Sequence, residues 1–165
     1  MVSTLPLGFS RNRPRMAGGP FCAHTRRMAA TARNLGELIA WQLANKHSDA
    51  VFELIQSEPC RRDVTFCEQI RDASSAVAPL IAEGFVRFTP AEFAKYLRWA
   101  KAEIAETQTH LRNGQAKGYF TEEQALPAWR ISKRLMKATS RLLNAKLQHI
   151  AEEERTKRAR RPRGA

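Results

Sequence analysis

Residues 89–114 read TPAEFAKYLRWAKAEIAETQTHLRNG, and the fold follows from their spacing. Thr89, Pro90 and Glu92 spell a helix start. The hydroxyl can accept from a free backbone N–H, the proline ring already has the φ of a first turn, and the carboxylate can reach back to the cap. Phe93, Leu97, Ala100, Ile104, Thr107 and Leu111 then recur at alternating intervals of four and three. That interval keeps a narrow apolar seam on one side of a helix, as in a helical bundle. Its polar flanks are sorted by sign, with Arg98, Lys101 and Arg112 on one side and Glu92, Glu103 and Glu106 on the other. Asn113 and Gly114 are expected to close the helix.

The longest acid-free stretch of the folded part lies further on. Gln124–Ala151 runs for 28 residues without Asp or Glu, yet carries Arg130, Lys133, Arg134, Lys137, Arg141 and Lys146. At about 100° per residue, Lys133, Arg134, Lys137 and Arg141 all fall within roughly 60° of Arg130. Ile131, Leu135, Ala138, Thr139, Leu142, Leu143, Leu147 and Ile150 fill the opposite half, an arc of about 180° against the ~100° one packed face requires. The basic edge reads either as a solvated face or as a contact surface for a polyanion. A merely solvated helix mixes signs to form i,i+4 pairs, and this one does not.

The flanking segments complete the architecture. Thr121 caps this fourth helix with Gln124 three residues on. Pro127 falls in its first stretch, so the regular helix is expected to begin there and to end near Arg155. Upstream, Asn34 reads as the cap of a first helix to about Ser57, with Leu38, Ile39, Trp41, Phe52 and Ile55 apolar and Pro59 as a stop. A second helix runs from about Asp63 with Phe66, Ile70, Ala73, Val77 and Ile81 on one side. Pro79 is expected to kink it or end its regular bonding, and Gly84 to end it or nearly so. Four helices of about 20–30 residues joined by short loops make an all-α, antiparallel up-down-up-down four-helix bundle over residues 34–155.

Charge is distributed unevenly over that plan. Of the net +12, residues 1–36 hold six Arg and no acid, residues 152–165 hold six Lys or Arg against three Glu, and residues 37–151 are nearly balanced. Residues 1–33, rich in Pro and Gly without helical period, and the basic tail 156–165 are expected to be disordered. Met16 and Met28 offer later starts, and everything that reads as folded follows Met28, so residues 1–27 are expected to be an over-extended start. A balanced body with basic tails points to a polyanionic partner. Nucleic acid is the first candidate for it and an anionic membrane the second. No apolar run approaches the ~18–20 residues of a membrane span, so the chain is expected to be soluble, and the leading reading has no membrane partner. Cys22, Cys60 and Cys67 are odd in number and lack a zinc spacing, so they read as reduced thiols of a cytoplasmic protein.

No catalytic constellation is legible, and no cofactor or metal site. There is no P-loop, no G-x-S-x-G and no H-E-x-x-H. His24, His47, His110 and His149 are widely spaced and read as surface or satisfied histidines. Glu103 and Glu106 share a helical face, but a carboxylate metal site also needs Glu-x-x-His pairs from facing helices. Trp41, Trp99 and Trp129 read as core or interface residues, or as platforms for bases. Glu83, beside Gly84 and ahead of Arg87, reads as half of a structural ion pair or as a cap on the next helix.

The stretch Gln69–Phe85 with Arg87, Phe93 and Leu97 resembles a known family: small bacterial four-helix bundle proteins first noticed as reading frames in intervening sequences of 23S rRNA genes. Leu38–Gln42 and Gly118–Gln124 are similar to its opening helix and last connection. Ile81, Ala82, Glu83 and Gly84 with Arg87 form the most specific, structural part of the signature. Two positions depart from it: many members carry Pro one residue before Pro79, and many carry Asn where this chain has Leu80. The resemblance implies an up-down bundle assembling as a homopentamer. It also implies kinship with the accessory protein of diversity-generating retroelements, a basic pentamer that binds nucleic acid and a reverse transcriptase.

Two functions of different class are consistent with these features. The first is a non-catalytic bundle that binds RNA or DNA with low sequence specificity. Arg130, Lys133, Arg134, Lys137 and Arg141 would contact phosphates, assisted by Arg98, Lys101, Arg112 and the tail residues Arg158, Arg160, Arg161 and Arg163. The second is a scaffold whose basic edge docks an acidic protein partner. Apolar residues beyond a single inward stripe, Trp41 and Phe52 on the first helix and Met136, Leu143 and Leu147 on the fourth, are expected to form a self-association surface.

Overall fold

The computed structural model describes residues 32–87 and 89–160. The expected disorder of residues 1–31 and 161–165, with Arg161 and Arg163, lies outside them. Four helices follow one another: α1 (Ile39–Ile55), α2 (Val64–Val86), α3 (Pro90–Ala116) and α4 (Glu122–Arg160). Each packs on two neighbours, α1 on α2 and α4, and α3 on α2 and α4. This is the up-down-up-down bundle that the seam of α3 demands. Phe93, Leu97, Ala100, Ile104, Thr107 and Leu111 are all buried.

Three of the helix starts are held as their sequences prescribe. Thr89 Oγ1 accepts from the Glu92 N–H at 3.2 Å and donates to the Glu92 carboxylate at 2.9 Å. Thr121 Oγ1 accepts from the Gln124 N–H at 3.2 Å while Gln124 Oε1 accepts from the Thr121 N–H at 2.7 Å, a reciprocal capping box. Asp63 caps α2 through the Phe66 N–H at 3.0 Å. Asn34 behaves otherwise. It caps a separate 3-10 turn, Leu35–Glu37, and Leu38 is extended before α1 begins at Ile39.

The expected helix ends need correction. Pro79 does not end α2, which continues to Val86. Proline removes one N–H, but Pro79 lies on the exposed face, where water can serve the Ser75 carbonyl that loses its donor. Gly84 lies two residues before the end of α2, as expected, but it serves a packing purpose rather than a left-handed stop. A side chain there would put its Cβ 2.7 Å from both Phe93 Cδ2 and Tyr96 Cβ, so glycine is required by the close approach of α2 and α3. Gly114 is likewise buried, under Phe120 and Phe66, and α3 runs on to Ala116. The left-handed residue that turns the chain is Gly118, at φ +71°. Pro127 sits inside α4, which begins at Glu122.

α4 also outlasts its expected end at Arg155, so Thr156–Arg160, assigned to a disordered tail, are helical. Beyond Ile150 no apolar period supports it. Glu153 and Lys157, and Glu154 and Arg158, are spaced i,i+4 with the acid first, the favourable order for an isolated helix.

The core is divided. One apolar cluster joins Leu43, Ala44, Val77, Ile81, Leu97, Ile104 and Leu135, and another joins Val51, Ile55, Phe66, Ile70, Leu111 and Phe120. Between them lie buried polar side chains from all four helices: His47, Ser74, Thr107 and Ser132. Ser74 and Thr107 donate to carbonyls of their own helices, and Ser132 Oγ accepts from Gln108 Nε2 at 2.7 Å. His47, expected at the surface or satisfied, is fully buried, and neither ring nitrogen has a partner among the described residues. Desolvation holds its pKa down, to about 4.

Candidate nucleic-acid interface

The outer surface of α4 follows from which side of it is buried. Ser132, Leu135, Thr139 and Leu143 face the core, and the opposite face carries Arg130, Lys133, Arg134, Lys137 and Arg141, all exposed. At 1.5 Å per residue the five span ~16 Å of a straight ridge. Among the described residues, no carboxylate lies within ion-pairing distance of any of them; the ion pairs of this chain form elsewhere. Such an array of solvated cations without counter-charges sets a positive potential along this side of the bundle.

α3 contributes to the same side. The Arg112 guanidinium lies 5.7 Å from the centre of the Trp129 ring, and Lys133 Nζ lies 5.9 Å from it. Trp129 is half-buried, so its ring joins the cations of two helices. The antiparallel register that pairs Gln108 with Ser132 and Phe93 with Lys146 sets Lys101 and Arg98 level with α4 residues near Thr139 and Leu142. The acidic flank of α3 turns the other way, toward α2. There Glu103 is held above the ordinary carboxylate range, by its partial burial first and then by Glu106.

Arg158 and Arg160 do not extend the ridge. They are exposed on the last turns of α4, at roughly 80° and 120° from the direction of Arg130, with Glu152–Glu154 intervening. Arg155 returns to the ridge side. The assignment of Arg158 and Arg160 to a flexible tail is therefore replaced by fixed positions around a helix.

The signature residues Ile81 to Arg87 form a clamp between α2 and α3. Ile81 fills the core and Gly84 admits Phe93 and Tyr96 against the backbone. Glu83 accepts from the Tyr96 hydroxyl at 2.6 Å and pairs with Arg87, which itself donates to the Tyr96 oxygen at 2.8 Å. The Tyr96 hydrogen bond, then Arg87, lowers the Glu83 pKa. Glu83 is thus half of an ion pair, as its sequence context suggested. A second clamp at the other end went unread. Asp63, beyond capping α2, accepts from the Tyr119 hydroxyl and from Lys117 Nζ at 3.3 Å, and Tyr119 is the main cause of its lowered pKa.

The remaining candidates separate. His110 lies 3.6 Å from Glu106 and His149 lies 3.2 Å from Glu153, i,i+4 acidic partners that the sequence reading missed. His24 and Cys22 lie outside the described residues. Trp41 packs against the core, while Trp99 is 44% exposed beneath Lys95 and beside Tyr96. Of the expected association residues, Leu143 belongs to the core and Trp41 and Met136 are partly buried against it, leaving Phe52 at 53% and Leu147 at 37% exposed. Among the described residues, no three His, Cys, Asp or Glu gather to hold a metal ion, and no helix is long and apolar enough to cross a membrane.

Fold and surface together define an all-α up-down bundle with one cationic outer ridge. The chain belongs to the 23S rRNA-intervening sequence protein family, whose model matches residues 36–145, from the turn before α1 to the middle of α4. No curated protein matches it at a significant level.

Proposed function

We propose that this chain is a non-catalytic nucleic-acid-binding bundle whose α4 ridge engages the phosphate backbone. The observation that carries the reading is the set of five exposed cations, Arg130, Lys133, Arg134, Lys137 and Arg141, on one face without a carboxylate partner among the described residues. Arg112, Lys101 and Arg98 widen the surface from α3. Phosphate contacts position a backbone and carry no sequence code, and the Trp129 ring on this side is already approached by the Arg112 and Lys133 cations. The ligand is accordingly structured RNA or DNA recognised by shape, with weak sequence preference.

Self-association is part of the same reading. Ile39 and Phe52 on α1 and Leu147 on α4 leave apolar surface that the described residues do not cover. Subunits meeting through unlike faces close into a ring when the rotation allows, and five copies is the number the family resemblance favours. A ring would bring several ridges to one polyanion and raise affinity by multivalency. The test is the absorbance of the chain purified at low salt. Nucleic acid that co-purifies, seen as a high 260/280 ratio that nuclease or high salt removes, supports the reading. Nucleic-acid-free protein that instead retains an acidic protein partner would replace it with the scaffold reading.

A further inference from the structure

Cys60 and Cys67 flank the turn that opens α2, and their sulfurs lie 3.8 Å apart. They differ in their access to solvent. Cys60 is fully buried in the core, whereas Cys67 is half-buried and lines a shallow surface pocket with Phe52, Val64, Arg61 and Arg71. The Cys67 thiol is turned toward its neighbour, donating to the Cys60 carbonyl at 3.3 Å, with the Ile55 carbonyl 3.9 Å away. Burial, and then Cys67 itself, push the Cys60 thiol up to about 12. Cys60 therefore keeps its proton, and Cys67 is the sulfur that a solute in the pocket meets first. A zinc site would need further ligands, and no third His, Cys, Asp or Glu joins the pair among the described residues.

We propose that Cys60 and Cys67 form a hydroperoxide-responsive dithiol site that closes reversibly into an intramolecular disulfide across the α1–α2 connection. In the first step the Cys67 sulfur, as thiolate, attacks one peroxide oxygen. The O–O bond breaks, Cys67 becomes a sulfenic acid, and the other oxygen leaves as water or an alcohol after taking up a proton. In the second step Cys60 Sγ attacks the Cys67 sulfur. The S–S bond forms as the S–O bond breaks, and the departing hydroxide takes the Cys60 proton and leaves as water. The peroxide accepts the two electrons, and a dithiol reductant returns them. A disulfide holds its sulfurs at ~2.05 Å, so the 3.8 Å pair must close by about 1.8 Å to form the bond. The Cys60 thiol is too protonated to react first but adjacent enough to resolve the sulfenic acid before it is oxidised further.

The test uses the full chain with Cys22→Ser, which removes the third thiol. After exposure of the folded protein to hydrogen peroxide, the intact mass falls by two hydrogens and two iodoacetamide-reactive sites are lost. Proteolysis then yields one cross-linked peptide containing Cys60 and Cys67, and dithiothreitol restores both thiols. With Cys60→Ser added, Cys67 stops as a dimedone-trapped sulfenic acid and proceeds to sulfinic acid. Full alkylation of both thiols after peroxide overturns the proposal. So does sulfinic acid at Cys67 with Cys60 still free, or disulfide found only between molecules. If Cys60→Ser does not fold, the peptide map of the intact pair decides alone.

Discussion

Acidification should unfold this bundle partly through one residue, His47. Its imidazole is buried without a partner among the described residues on either nitrogen, and desolvation takes its pKa from 6.5 to about 4. The folded state thus binds fewer protons than the unfolded state, and stability falls as the pH drops from about 6.5 toward 4. A tenfold difference in proton affinity between the two states is worth about 1.4 kcal/mol, so the full effect approaches ~3 kcal/mol at the acid limit. Between pH 7 and pH 5 the share is about 2 kcal/mol, because the unfolded imidazole is nearly all charged at pH 5 while the folded one is still neutral. The comparison is His47→Leu, which keeps similar volume and has nothing to titrate. Denaturant unfolding followed by helical circular dichroism, at fixed protein concentration, gives each stability at both pH values. Surface carboxylates contribute equally to the two proteins and cancel in the difference. The gap between wild type and variant should move by about 2 kcal/mol in favour of the variant on going to pH 5. At pH 7 the variant should already be no less stable, since an unpaired buried polar group costs about 1–3 kcal/mol. Parallel pH profiles would refute the reasoning, since they would mean that the imidazole is hydrated or paired.

Gly84→Ala should destabilise the bundle by about 1–3 kcal/mol through overpacking against Phe93 and Tyr96, read as a lower denaturation midpoint with unchanged slope; an unaltered midpoint would mean that α2 and α3 are not in close contact there. Light scattering at micromolar concentration should give a multiple of the 18.7 kDa chain, five-fold for the proposed ring. Phe52→Glu with Leu147→Glu should lower that mass without loss of helicity. A wild-type mass near one chain would remove the association surface.

The fold was readable because each local signal agreed with the next. Thr89, Thr121 and Asp63 each begin a helix, and the four-three spacing of α3 specifies helical neighbours before any of them is located. The readings of Gly84 and Gly114 were limited by one cause. Glycine near a helix end signals either a left-handed stop or a backbone contact, and only the position of Phe93, Tyr96 and Phe120 in space decides that Gly84 and Gly114 are the second kind. The ridge on α4 was legible because 3.6-residue periodicity alone puts Arg130 to Arg141 on one side. Its continuation onto α3 was only half legible. Sorting by sign grouped Arg98, Lys101 and Arg112, but that this flank faces α4 and meets Lys133 over Trp129 depends on helix register. His47 stayed hidden for a similar reason. On one helix it is simply an isolated histidine, and its burial depends on the polar side chains that three other helices bring to the same level. The Asp63–Tyr119 clamp joins residues 56 positions apart, beyond any spacing rule.

The salt dependence of nucleic-acid affinity tests the central claim most directly. With about four to six phosphates neutralised per protomer, a plot of log affinity against log salt should fall with a slope of roughly −3 to −5, alike for unrelated sequences. Arg134→Glu with Arg141→Glu should weaken binding to all of them and flatten the slope, while the helical spectrum and denaturation midpoint stay where they were. Affinity that is indifferent to salt, or unchanged when the ridge charges are reversed in a folded protein, would contradict the account.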